Sequence, residues 1–157
     1  MLVDIRIDET TWAAAAEDRR REWTLLIAEL LEQHPTDGDR LRLTITPADG
    51  NVTLLGFETA EGRPASQISL PFESLRPHFR EYCDICHRMG MLDEGSHSAR
   101  LEALDMGKKL AHDRAARTLM HLCAPLFADH EAARCLFSLL VSLHFDTGLM
   151  TRGHRVI

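Results

Sequence analysis

The sequence has few basic residues and no long apolar run, and each shortage excludes a class of protein. Its 18 Lys and Arg residues are outnumbered by 24 Asp and Glu residues, which gives a formal net charge of -6. That is the wrong sign for a protein that binds nucleic acid by neutralising phosphates. The longest apolar stretch, residues 135–143, already contains Ser138 and Ser142, whereas a membrane-spanning helix needs about 18 apolar residues. We therefore expect neither a nucleic-acid partner nor a membrane.

We expect no export signal either. Apolar residues alternate with Asp4 and Arg6 near the start, so there is no continuous apolar core of the kind that directs secretion. We expect a cytoplasmic protein whose four cysteines are reduced thiols without a structural disulfide. A chain of 157 residues is long enough to bury a core without a metal or a cross-link. We predict a single α+β domain over residues 1–146 and a mobile C-terminal tail over residues 147–157.

The spacing of apolar residues predicts the secondary structure. Alternation of apolar and polar residues places four short strands near positions 3–7, 41–46, 52–58 and 67–70, the last running into Pro71. Apolar residues three and four apart predict about four helices. The first helix runs from about Thr11 to just before His34, with both tryptophans facing the core. The predicted fold is α+β, a short four-stranded, mainly antiparallel sheet packed by about four helices in the order β-α-β-β-β-α-α-α.

The last predicted helix has a distinct composition. Asp129 is placed to cap it, and residues 132–144 are apolar on nearly every side. A surface helix cannot have that pattern. We therefore expect the C-terminal helix to be central and buried.

Two groups of cysteine and histidine residues suggest cofactor chemistry. Cys83, Cys86 and His87 have the spacing of a c-type haem attachment site. Haem attachment follows export, and Cys86 falls on the apolar stripe of its helix, so we interpret the cysteines as buried thiols and leave a redox role open. The other candidates lack the spacing of a zinc site; they are His112, His121, Cys123, His130, Cys135 and His144. We predict no metal and no cofactor.

A polar cluster on the predicted third helix is more informative. The buried face of that helix is defined by Leu101, Leu104, Ala111, Ala115 and Leu119. Lys108 falls inside this arc, and Asp105 and His112 lie at its edges. Buried charges must be paired or shift their pKa, which is also how acid-base catalysts arise. We favour a structural interpretation, a bridge from Lys108 to a carboxylate beside His112. A catalytic or ligand-binding cluster, with His144 as a further candidate, stays open, and we assign no catalytic residue.

Segments spread over most of the chain carry a family resemblance. They are Ile7-Asp8-Glu9, Leu70-Pro71-Phe72 with Tyr82 and Cys83, residues 99–107, and Ala133-Arg134 with Leu136-Phe137 and His144. Together they resemble the bacterial uncharacterised protein family number 0262 of the UPF series. The resemblance implies a fold and a bacterial cytoplasmic compartment, and it implies no activity, ligand or catalytic residue.

Two functions stay open, because the sequence identifies no activity. The first is a non-enzymatic cytoplasmic protein that binds a protein partner or a small effector. The sequence shows no phosphate-binding loop, no activated nucleophile and no set of metal ligands at the spacing of a metal site. The alternative is an acid-base enzyme with a pocket around Asp105, Lys108 and His112 that acts on a small anionic substrate. Symmetric dimers are common, and we expect that a homodimer would form through the amphipathic first helix.

Overall fold

A computed structural model describes residues 1–34, 38–48, 52–92, 98–124, 126–127 and 129–145. It contains strands β1 (Leu2–Ile7), β2 (Leu41–Ala48), β3 (Val52–Thr59) and β4 (Pro64–Pro71), and helices α1 (Glu9–Ala14), α2 (Glu17–Gln33), α3 (Phe72–Gly90), α4 (Ser98–Cys123) and α5 (His130–His144). The predicted α+β class and element order are confirmed, with the first predicted helix divided in two. The tail predicted over residues 147–157 lies outside the described residues.

The four strands form one mixed sheet in the order β1-β2-β3-β4. Strands β2, β3 and β4 follow one another as antiparallel neighbours, while β1 pairs with β2 in parallel. Parallel neighbours require a crossover, and α1 and α2 supply it. The alternation in the sequence puts one face of the sheet into the core, including Ile5, Ile7, Leu43, Ile45 and Leu55. Strand β1 is left at an edge of the sheet.

Helix α5 lies at the centre, as its composition predicts. Ten of its 15 residues are buried, and it packs against α2 on one side and α4 on the other. Its N-terminus is capped by Asp129, whose Oδ2 accepts from the Ala132 N–H at 2.9 Å. At its other end, Arg19 of α2 donates to the carbonyl oxygens of Ser142 at 2.6 Å and Phe145 at 3.2 Å. Terminal backbone groups at both ends of the central helix therefore have hydrogen-bond partners.

The helix predicted to begin at Thr11 is interrupted at Ala15 and Ala16, which both adopt extended conformations. No glycine or proline causes the break. Instead, the side chain of Arg20 donates to the carbonyl oxygens of Trp12 at 2.8 Å and Ala13 at 2.9 Å, and so satisfies the last carbonyls of α1. Both tryptophans contact the core as predicted, but to different extents: Trp23 is 1% exposed, whereas Trp12 packs against the core and is only partly buried.

Helix α4 is buried along only half of its length. Its buried residues begin at Ala111, whereas none of residues 98–110 is buried and Leu101 is 46% exposed. The prediction that Leu101 lies on the buried face is therefore wrong, while Leu104 is half-buried. Among the helices in the described part of the chain, none is both long and apolar enough to cross a membrane.

Candidate functional site

The four polar residues singled out from the sequence contact several different residues rather than one another. Asp105 lies at the surface, where its Oδ2 is 3.2 Å from Lys109 Nζ. Lys108 places its ammonium 5.7 Å from the centre of the Tyr82 ring, a cation-π geometry. The expected bridge from Lys108 to a carboxylate is therefore wrong, because the aromatic face of α3 takes the place of the carboxylate. Within the described residues, no hydrogen bond or ion pair joins any two of Asp105, Lys108, His112 and His144.

His112 sits between α3 and α5 in a well-defined hydrogen-bonding environment. Its Nε2 is 2.9 Å from the carbonyl oxygen of Arg134 and 3.1 Å from Ser138 Oγ. A carbonyl can only accept, so Nε2 carries the proton, and Nδ1 accepts from the Arg134 guanidinium at 3.4 Å. Burial lowers the pKa of His112 below its ordinary value of 6.5. A base that activates Ser138 would need a lone pair on Nε2, so this arrangement favours a structural role.

His144 lies beside the sheet, away from the other three polar residues on α4. Its Nε2 lies 3.0 Å from Thr53 Oγ1 of β3, and its ring contacts the rings of Phe72 and Phe79 at centroid distances of 5.4 and 5.5 Å. Burial in this aromatic surrounding lowers the pKa of His144 to about 4. Its imidazole is therefore neutral near pH 7 and is held by a hydroxyl in the core.

The cysteines are buried thiols. All four are free, and Cys83 and Cys86 are 4% and 5% exposed. Burial, with a smaller contribution from Cys86, raises the pKa of Cys83 to about 12, whereas reactive thiols need a lowered pKa. Among the described residues, no group of three or more His, Cys, Asp or Glu side chains is arranged to hold a metal ion.

A groove of about 360 Å³ runs along the outer edge of β1. It is lined mainly by apolar side chains, with polar groups at the rim; the residues are Ile5, Arg6, Ile7, Glu9, Trp12, Thr24 and Ile27. An apolar depression with a few polar groups is the usual form of a binding site. We take this groove, called the β1 groove below, as the candidate functional site.

The floor of the β1 groove includes unpaired strand backbone. The Asp8 N–H donates to the Ile45 carbonyl at 2.8 Å, so in the parallel ladder Arg6 and Asp8 direct their backbone groups toward β2. Because the direction alternates along a strand, the N–H and C=O groups of Ile5 and Ile7 point toward the groove. The site therefore offers both an apolar surface and a row of hydrogen-bonding groups.

Trp12 forms one wall of the groove and is held firmly. It lies in the short helix α1, whose first turn is capped by Asp8 through the Thr11 N–H at 3.2 Å and whose last carbonyls are bound by Arg20. From behind, the Trp12 ring packs against Trp23 with centroids 6.0 Å apart. The wall is therefore fixed from both ends and from the core, as a preorganised site requires.

Comparison with known proteins places the chain in a family. Residues 1–146 match the model of the family described as "Uncharacterised protein family (UPF0262)". The chain belongs to this family. A UPF0262 protein of Rhodospirillum rubrum is 28% identical to it over 148 residues, covering 91% of each chain. A UPF0262 protein of Caulobacter vibrioides is 31% identical over 150 residues, covering 90% of this chain and 91% of its own. No solved structure matches the chain.

Sequence reasoning missed the β1 groove of this UPF0262 protein. It assigned Trp12 to the core because it continued one apolar stripe through the break at Ala15. One signal marks the break: Glu17 with Asp18 puts two acidic residues into the first turn of a new helix, where they are favoured. Arg134 and Ser138, which hydrogen-bond to His112, are not marked by any comparable local signal in the sequence.

Proposed function

We propose that this protein is a non-enzymatic binding protein of the bacterial cytoplasm, and that its β1 groove takes an extended segment of a partner protein as an additional strand. The observation that carries the proposal is the pairing of two features in one place: an unpaired strand edge at Ile5 and Ile7, and an apolar wall at Trp12 and Ile27. Strand addition uses both, since the edge binds the peptide backbone and the apolar wall selects its side chains.

The geometry specifies the kind of segment that fits. Side chains of a strand alternate between two faces, so every second residue of the bound segment points toward Trp12 and Ile27 and should be apolar. The residues between them face solvent, near Arg6 and Glu9 at the rim, and can be polar. A continuous apolar segment is not required.

The catalytic alternative has less support from the arrangement of its residues. Lys108 and His112 both contact Tyr82, but Asp105 pairs with Lys109 at the surface and His144 binds Thr53 in the core. A cavity of about 170 Å³ next to Ser138 is lined by Glu22 and Ser142. The hydroxyl of Ser142 donates to the Glu22 carboxylate, but Ser142 is only 3% exposed, so this hydrogen bond supports the packing of α2 against α5 better than attack on a substrate.

The test begins with a displayed library of random peptides selected against the purified protein. Affinities of the selected peptides are then measured for the wild type and for Thr24→Arg, which places a guanidinium in the groove. We expect binding to weaken by at least roughly tenfold, because the long side chain occupies the peptide's space. Leu25→Arg is the matched control, since Leu25 is 72% exposed and does not line the groove, and it should bind like the wild type.

A second measurement distinguishes strand addition from hydrophobic binding that uses no backbone hydrogen bonds. Each selected peptide is N-methylated at one backbone nitrogen at a time, which removes one donor and adds a bulky methyl group. We expect alternating positions to lose binding, because only every second N–H faces β1. The proposal is refuted if selection yields no binder, if Thr24→Arg binds as tightly as the wild type, or if methylation is tolerated at every position.

A further inference from the structure

The exposed half of α4 carries an apolar stripe that nothing in the described part of the chain covers. Ala99, Ala103, Met106 and Leu110 are all exposed, Met106 by 58% and Leu110 by 49%. Their spacing of four, three and four residues places them within an arc of about 60° at roughly 100° per residue. This is the spacing of a coiled-coil seam. We call these four residues the α4 stripe.

The α4 stripe points away from the helices that α4 contacts within the chain. The α3 side of α4 is marked by Gly107, whose position for a Cβ is 3.7 Å from Ile85, and the α5 side by His112, which binds Arg134. Both lie well outside the arc of the stripe. Met91 at the end of α3 is 69% exposed and borders the same surface groove as Ala103, so it extends the apolar surface. Within the described residues, the stripe is therefore open to another molecule.

The charged residues beside the stripe could pair with those of a second copy. Glu102 and Lys109 flank it on the same side, seven residues apart. If a second copy packs antiparallel about a two-fold axis, Ala103 faces Met106, Ala99 faces Leu110, and Glu102 of each copy faces Lys109 of the other. On the opposite side Arg100 meets Gly107, so no like charges are brought together. A parallel pair would instead bring Lys109 toward Arg114, which is unfavourable.

We propose that this protein forms a two-fold symmetric, antiparallel homodimer through the α4 stripe. Lys109 is held 3.2 Å from Asp105 by an exposed ion pair, which is weak enough to be shared with the partner's Glu102. The helix predicted to begin at Thr11 divides into α1 and α2, and Leu25 is the one large apolar residue that α2 exposes. The dimer contact therefore belongs to α4 rather than α2, and it leaves the β1 groove open.

The test is sedimentation velocity of the full chain over a range of concentrations. We expect a monomer-dimer equilibrium for the wild type. Met106→Glu should give a monomer, because it puts a charge into the centre of the seam. Leu25→Glu is the matched control, since it makes the same kind of change at an exposed apolar residue of α2, and its dimer should be unchanged. A wild type that stays monomeric, or a dimer lost in Leu25→Glu and kept in Met106→Glu, overturns the proposal.

A charge swap tests the antiparallel register. Glu102→Lys alone, or Lys109→Glu alone, brings like charges together twice across the axis and should weaken the dimer by roughly tenfold. When the two single variants are mixed, each lysine again faces a glutamate, so a heterodimer should form with restored affinity. All of these side chains lie at the surface, and circular dichroism checks that each variant is folded. Absence of recovery in the mixture refutes the antiparallel arrangement.

Discussion

Acid should destabilise this protein through His144 in particular. The pKa of His144 is lowered by burial to about 4 in the folded state, against an ordinary value of 6.5. Above pH 6.5 both the folded and the unfolded state carry a neutral ring, so the stabilisation is complete. As the pH falls from 6.5 toward 4, the unfolded state binds a proton that the folded state excludes, and the free energy of unfolding decreases. Below about pH 4 both states are protonated and this loss ends.

The size of the effect follows from the two pKa values. Each pH unit between them costs about 1.4 kcal/mol, so His144 should remove about 3 kcal/mol of stability over the whole interval. That is a large share of the free energy of unfolding of a typical folded protein, which is roughly 5–15 kcal/mol. Burial also lowers the pKa of His112 and His78, so the total loss in acid should exceed the share that His144 contributes.

A variant isolates the contribution of His144. Urea unfolding is measured at several values between pH 7 and pH 4 for the wild type and for His144→Gln, which retains a hydrogen-bonding partner for Thr53 and removes the titration. The variant should lose about 3 kcal/mol less than the wild type over this range. Thr53→Val is the control, because it removes the hydroxyl and keeps the histidine, and it should retain the acid sensitivity. Equal pH dependence in His144→Gln and the wild type would show that the reasoning is incorrect.

Three further perturbations have defined outcomes. Asp8→Ala removes the cap of α1 and should lower the free energy of urea unfolding by about 1 kcal/mol, while Asp8→Asn should cost less; equal losses would exclude capping. Arg19→Met keeps an apolar stem but loses the donors to the end of α5, and calorimetry should show a loss of about 2 kcal/mol. Cys83 and Cys123, with pKa values raised by burial to about 12, should react with a thiol reagent at pH 8 only after unfolding; rapid reaction of the native protein would contradict their burial.

The sequence was most informative where one local pattern decides the structure. Alternation at Leu43 and Ile45 identified the buried face of β2, and the apolar composition of residues 132–144 identified the central helix. In both places the period of the element and its burial agree, so no other part of the chain needed to be known. The element order followed from these patterns together with the turn residues between them.

The sequence was least informative where distant side chains decide the outcome. The interruption at Ala15 depends on Arg20 reaching back to Trp12 and Ala13, and periodicity continues smoothly through it. Likewise, helix periodicity places Lys108 on an inner arc but does not reveal that the ring of Tyr82 occupies that place. The β1 groove depends on the parallel pairing of β1 with β2, and strand pairing cannot be read from one sequence.

The central position of α5 has a consequence for the order in which the chain is made. Helix α2 packs largely on α5, and α4 packs on α5 as well as on α3, yet α5 follows every other described element in the sequence. During synthesis, the faces that contact α5 stay uncovered until residues 130–145 have left the ribosome. The nascent chain must therefore complete its core late, and it exposes adhesive apolar surfaces for most of its synthesis, the stage at which chaperones protect such chains.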